Sequence, residues 1–160
     1  MRTRVGLGFD VHPFSADPRR RLVLGGVTLP GELGLAGHSD ADVLAHAAAD
    51  ALLGAAGLGD IGTHFPARDP AWEDVDSMFI LTQVVDMVAE AGWVPANIDC
   101  TVVAEAPALA PHCPAMVRRL GEVVGAPVSV KAKRAEGLGA MGRTEGMACW
   151  AVALVEEVGR

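Results

Sequence analysis

Residues 5–12, Val-Gly-Leu-Gly-Phe-Asp-Val-His, decide how the chain is read. Apolar Val5, Leu7, Phe9 and Val11 alternate with Gly6, Gly8, Asp10 and His12, the period of two of a β-strand, which predicts one buried apolar face. Asp10 and His12 then leave the opposite side together, roughly 6 to 7 Å apart at the backbone, within reach of one cation. A polar strand end meeting solvent would look the same, so the pair gains meaning only from what lies around it.

Outward from that strand, Arg21–Leu24 and Val27–Leu29, separated by Gly25 and Gly26, read as a small hairpin before Pro30. Ser39 followed by Asp42 has the form of a capping box with Asp in the Glu position, and the Ala- and Leu-rich run behind it predicts a helix to Leu53, stopped by Gly54. A second helix is expected from Ser77, behind Asp76 as cap, to Ala91, burying Met78, Leu81, Val85 and Val88. Ile98–Glu105 alternates as a strand. Pro111 suits the first turn of a third helix with Met116, Val117, Leu120 and Val124 as its stripe and Gly125 as its stop. Val128–Lys133 reads as a strand, and so does Met147–Val155, where Trp150, Val152 and Leu154 alternate with Ala151, Ala153 and Val155. This order predicts an α+β fold, a single two-layer domain over residues 1–160 in which helices pack on one face of a mixed β-sheet.

Composition narrows the partners. Lys and Arg number 13 against 20 Asp and Glu, a net charge of −7, which argues against a surface that tracks a nucleic-acid backbone. The longest stretch free of charged residues, Ala106–Val117, is broken by prolines and too short to span a bilayer, and Asp10 and His12 interrupt any secretory leader. A cytoplasmic protein with no membrane partner is expected. Cys100, Cys113 and Cys149 form no paired motif and are read as buried, reduced thiols. With 4 Phe, 3 Trp and no Tyr, the core is built of Ala, Val and Leu, modest bulk for a monomer.

Asp42, His46 and Asp50 recur at i, i+4 and i+8, a polar stripe on the first helix. If that stripe faces the strand end, His46 completes a set with Asp10 and His12, and three such ligands with a vacant fourth position suit a catalytic zinc. A solvated helix face is the alternative. His38, Ser39 and Asp40 stand at the mouth of that helix, where free amides favour an anion. In Gly59–Pro66, Asp60 can accept hydrogen bonds from sugar-like hydroxyls, and Ala104–Pro111 is a rigid small-residue loop able to present backbone groups to a flat base. Lys131, Lys133 and Arg134 form the locally basic cluster a polyphosphate needs, with Glu136 available to a harder cation. Arg143 and Glu145 among glycines read as a turn, an ion pair or an anion site.

Taken together, Gly8–His12 (GFDVH), Gly37–Val43 (GHSDADV), Asp50–Ala55 (DALLGA) and Gly59–Pro66 (GDIGTHFP) resemble the 2-C-methyl-D-erythritol 2,4-cyclodiphosphate synthase family. The likeness continues through Ala104–Pro107, Val130–Ala132 and Gly142–Gly146, nearly the whole chain. It implies a homotrimer with active sites between subunits, and cyclisation of 4-diphosphocytidyl-2-C-methyl-D-erythritol 2-phosphate with loss of CMP in the non-mevalonate isoprenoid pathway. By the same resemblance, Asp10, His12 and His46 are zinc ligands, and Glu136 helps hold Mg2+ or Mn2+ on the diphosphate. His38 and Ser39 contact phosphate; Asp50, Asp60, Ile61 and Gly62 bind the erythritol; and Ala104, Glu105, Ala106, Pro107, Ala108 and Leu109 form the cytidine loop. Arg143 matches an arginine of the trimer's central cavity, where isoprenoid diphosphates are expected.

Three departures stand out. Lys133 and Arg134, followed by Ala135, occupy the place of a Thr-Thr pair, Ala108 replaces a frequent lysine, and Ala140 replaces a frequent phenylalanine of the central cavity. A cation can substitute for a hydroxyl as phosphate donor, so Arg134 or Lys133, with His38, is expected in the catalytic role. The rival readings are a metal-dependent phosphohydrolase and a trimeric metal- or isoprenoid-binding module.

Overall fold

The computed structural model describes residues 2–159. Four strands form the main sheet: β1 (Thr3–Pro13), β4 (Trp93–Val103), β5 (Val128–Lys133) and β6 (Gly146–Glu157), in the order β1-β6-β4-β5. β6 is antiparallel to both neighbours and β4 is parallel to β5. The sheet is therefore mixed, and β1, β4 and β5 all end at the same edge of the molecule. β2 (Leu22–Leu24) and β3 (Val27–Leu29) make the separate hairpin anticipated from Gly25 and Gly26.

One face of the sheet is covered by α1 (Val43–Ala56) over β1 and β6, α3 (Ser77–Glu90) beside it, and α4 (Cys113–Val124) beyond α3 and over β5. The short α2 (Ile61–His64) lies in the connection from α1 to α3, and α5 (Gly139–Gly142) in the connection from β5 to β6. The α+β two-layer expectation holds, as does the assignment of Met147–Val155 to a strand.

The orientation of β1 is the reverse of what its pattern suggests. Its glycine side, not its apolar side, meets the helix layer: a Cβ on Gly6 would lie 2.0 Å from the Ala51 carbonyl oxygen, and one on Gly8 1.9 Å from that of Ala47. Only glycine permits α1 to lie this close. Val5, Leu7, Phe9 and Val11 are exposed on the far face with Trp150 and Val152, and Leu7 is 67% accessible. Alternation reports that two faces differ; it does not say which one the chain itself covers.

Boundaries also moved. α1 starts after Asp42, whose side chain accepts the N–H groups of Leu44 and Ala45, and runs past Gly54 to a left-handed Gly57 cap. Ser39 is not its cap. Asp42 is fully buried and also accepts the Gly25 and Gly26 N–H groups at 2.8 Å, tying the hairpin turn to the start of α1. It therefore does not share an exposed stripe with His46, and α1 is buried nearly all round. α3 is capped by Asp76 as expected and ends one residue earlier, at Glu90. β4 starts at Trp93, ahead of Ile98, and Pro111 lies in a 3-10 turn preceding α4. Cys100 and Cys149 are buried free thiols, whereas Cys113 is only half-buried.

Candidate metal centre and active site

Asp10 and His12 project from the tip of β1 toward α1, and His46, in the first turns of α1, projects back. The Asp10 carboxylate oxygen Oδ2 lies 3.0 Å from His12 Nε2 and 3.0 Å from His46 Nδ1. One ligand atom from each residue falls within 4.8 Å of the others, the only such convergence among the described residues. The outer nitrogens are occupied: His12 Nδ1 is 2.8 Å from the Ala36 carbonyl, which can only accept, so that nitrogen carries a proton and Nε2 is the one that faces the cluster and would coordinate an ion. A divalent ion with nitrogen and oxygen ligands fits this set.

Electrostatics agree with cation capture. Burial alone would raise Asp10, but hydrogen bonds and charge from the two imidazoles outweigh it and hold its pKa down at about 2. Burial likewise opposes charge on His12, yet the hydrogen bond and charge of Asp10 carry its pKa above the ordinary histidine value. A carboxylate that stays ionised and attracts positive charge is the electrostatic requirement for binding a cation.

The cluster opens into a 210 Å³ cavity lined also by His38, Ser39, Ile61, Phe65, Trp72 and Ile80. A second, 250 Å³ cavity shares Asp10, His46, Ile61 and Gly62 with it and adds Asp50 and Asp60. Asp60 caps α2 through the Thr63 N–H, and Asp50 accepts the Ile61 N–H at 3.0 Å. Burial raises the pKa of Asp50. Two carboxylates and free backbone thus stand beside the metal cluster, where a polyol would find acceptors and donors. His38 donates from Nε2 to the Asp69 carbonyl at 3.1 Å, and Ser39 is buried against His46.

The remaining candidates gather at the other side of the sheet end. Ala104, Glu105 and Pro107–Ala110 line a 350 Å³ cavity with Ala132, Lys133 and Arg134. Arg134 donates to Glu105, which also accepts the Ala135 N–H at 3.1 Å and the Gly137 N–H at 3.4 Å. These two amides flank Glu136, held at a positive φ of 54°. One carboxylate therefore ties the small-residue loop to the segment bearing Arg134 and Glu136, and its pKa is lowered chiefly by the Arg134 hydrogen bond. Lys131 pairs with Asp99, and Arg143 donates to Glu145 at 2.7 Å.

The two groups do not meet within one chain. Asp10, Cys149, Val102 and Ala132 form one cross-strand row, so the metal cluster and the Arg134 loop stand at opposite sheet edges, three strand spacings apart. That separation is about 14 Å at about 4.8 Å per spacing.

The YgbB family profile matches residues 3–156. The chain belongs to the YgbB family. It is 55% identical over 154 residues to the 2-C-methyl-D-erythritol 2,4-cyclodiphosphate synthase of Symbiobacterium thermophilum, covering 94% of this chain and 97% of that one. The bifunctional IspDF of Campylobacter jejuni superposes with a TM-score of 0.92 at 41% identity; the match covers 98% of this chain and 42% of that longer protein. The CDP complex of Plasmodium falciparum IspF superposes with a TM-score of 0.84 at 28% identity, covering 98% and 97% of the two chains. The resemblance read from the motifs is thus met along the chain, which is a member of this enzyme family.

Sequence reasoning brought Asp10, His12 and His46 together correctly. It missed Phe65, Trp72 and Ile80 as cavity walls, and Ser77, which bonds His46. Phe65 lay inside the quoted Gly59–Pro66 motif, but nothing local marks the other three, which arrive by tertiary packing.

Proposed function

We propose that residues 1–160 act as one catalytic domain that converts 4-diphosphocytidyl-2-C-methyl-D-erythritol 2-phosphate into 2-C-methyl-D-erythritol 2,4-cyclodiphosphate and CMP, a phosphorus–oxygen lyase reaction of isoprenoid synthesis. One observation carries the reading: a three-ligand cation cluster opens onto a pocket with two further carboxylates, in a chain whose relatives bear that synthase name.

No protein nucleophile is needed. The substrate's own 2-phosphate oxygen attacks the β-phosphorus, a new phosphoanhydride forms, the bond to the bridging oxygen breaks, and CMP departs with that oxygen. The protein's task is to fold the substrate into line and offset its charge. Asp10, His12 and His46 would hold zinc, and Glu136 would help hold magnesium or manganese against the phosphates. Bound there, such ions supply Lewis-acid stabilisation of the phosphate charge. His38 and Ser39 take a phosphate; Asp50, Asp60, Ile61 and Gly62 take the erythritol hydroxyls; Ala104–Leu109 receive the cytidine. Arg134, with Lys133 and Ala135 beside it, faces the transferring phosphoryl group and replaces a neutral hydroxyl with a charged donor.

The complete site is assembled between subunits of a cytoplasmic homotrimer. Two facts support this: the halves of the site lie at opposite sheet edges, and the helix-free face exposes Leu7, Phe9 and Trp150. A heterologous contact that closes into a ring would cover that face and join one chain's metal edge to the next chain's β5 edge. Arg143 is assigned to the trimer's central cavity. No helix among the described residues is long and apolar enough to cross a membrane.

Incubation with the substrate, zinc and magnesium tests the reading. Release of CMP with a cyclic diphosphate product is expected; a linear monoester with free phosphate would instead identify a hydrolase, and tight substrate binding without CMP release a binding module.

A further inference from the structure

We infer that Asp40 and Ser77 are positioning residues for the metal centre, forming a carboxylate–hydroxyl–imidazole relay that fixes which nitrogen of His46 faces the ion. The inference rests on the metal centre proposed above and adds residues outside its ligand set.

The hydrogen inventory gives the relay its direction. Ser77, the first residue of α3, is fully buried, and its hydroxyl stands between two partners: the Asp40 carboxylate and His46 Nε2, the latter at 2.8 Å. A carboxylate only accepts, so the single hydroxyl proton goes to Asp40, and the Ser77 oxygen is left to accept from the ring. His46 Nε2 must then keep its proton, so Nδ1, which faces Asp10 Oδ2 at 3.0 Å, is the nitrogen left to coordinate an ion in the cluster.

Ser39 reinforces the assignment. Its oxygen accepts the Ala41 N–H at 3.2 Å and lies 3.2 Å from the same His46 nitrogen. Its own proton is therefore free for the Ser77 oxygen, 3.3 Å away.

Asp40 is itself fixed. Its second oxygen accepts the Ser77 N–H at 3.1 Å, its first accepts the Asp42 N–H at 3.2 Å, and its own N–H donates to the Val75 carbonyl. The relay thus links the start of α3, the loop before α1 and the metal cluster. His12 is held the opposite way, with Nδ1 outward on a backbone carbonyl and Nε2 inward. Outer partners of this kind orient ligating imidazoles and raise their basicity, and losing one costs about 10–100-fold in metal affinity.

The test uses zinc ions alone with the full chain and no substrate. In chelator competition, Ser77→Ala should bind zinc about 10–100-fold more weakly than wild type. Asp40→Asn, which keeps an acceptor, should show a smaller loss, and the double variant should be no weaker than Ser77→Ala, because both act through one chain of bonds. Nitrogen-15 NMR of the zinc-loaded wild type should show His46 protonated at Nε2. Wild-type affinity in both single variants, or His46 protonated at Nδ1, would overturn the relay. A His46→Ala chain that binds zinc as tightly as wild type would instead remove the metal centre, and the relay with it.

Discussion

The two edges of one sheet end solve different problems. At the β1 edge, Asp10, His12 and His46 are packed between strand and helix, each held by a second partner, and the cluster is complete within the chain. At the β5 edge, Arg134 is largely exposed, restrained by Glu105, and lines a cavity with Ala104, Ala108, Leu109 and Ala132. A cation site must be prebuilt because every misplaced ligand weakens it. The proposed assembly rests on this contrast, a complete cation cluster at one edge and an open cavity at the other that a partner copy would bring together.

Removing the prebuilt half should have the largest effect. His46→Ala deletes a ligand and should lower metal-dependent CMP release by about 10³-fold or more, given the several kcal/mol a catalytic ion supplies, while circular dichroism stays native. Retained activity after chelation would break the distinction between the edges. At the other edge, Arg134→Ala should lower kcat by about 10–100-fold through the loss of one charged donor to the transition state. Its melting temperature should stay close to the wild-type value, since Arg134 itself is exposed and Glu105 keeps the Ala135 and Gly137 N–H groups as partners. A large loss of stability there would make the pair structural.

Gly8→Ala separates packing from chemistry at the β1 edge. The added methyl would stand 1.9 Å from the Ala47 carbonyl oxygen, so α1 must move off the strand. The expected cost is about 1–3 kcal/mol of stability, a fall of several degrees in melting temperature, with weakened zinc binding because His46 rides on α1. Smaller still is a pH effect on the metal-free protein. Asp10 is held below its unfolded value, so its contribution is present above about pH 4 and is lost as pH falls toward about 2. His12 is held above its unfolded value, so its contribution is present at mildly acidic pH and is lost as pH rises through its raised pKa. Zinc displaces that proton, so the thermal shift produced by zinc should grow over the same rise in pH.

Much of this was legible in the sequence, for identifiable reasons. Asp10 and His12 share a face by strand geometry, but periodicity joined His46 to them only on the condition that its stripe faced the strand end, and the family resemblance supplied the set; Asp42, the supposed stripe partner, is buried. The covered face of β1 was misread because an apolar row looks the same whether its own helix or a second copy buries it. Gly6 and Gly8 were the better signal, since paired glycines on one strand face mark a close helix. The start of α1 was misplaced because Asp42 is held partly by Gly25 and Gly26, 17 and 16 residues away in sequence. Ser77 was visible only as a helix start, since its bonds to Asp40 and His46 span 37 and 31 positions.

The most direct test of a divided site is to mix two inactive chains. His46→Ala lacks the metal half, and an Arg134→Ala, Glu136→Ala double variant lacks the other. After unfolding and co-refolding in equal amounts, about a quarter of the interfaces in a randomly mixed ring would join an intact metal edge to an intact β5 edge. CMP release should therefore return to about a quarter of the wild-type rate, while neither variant refolded alone should exceed its own residual rate. A mixture no more active than its components would contradict the account, because each chain would then need both halves for itself.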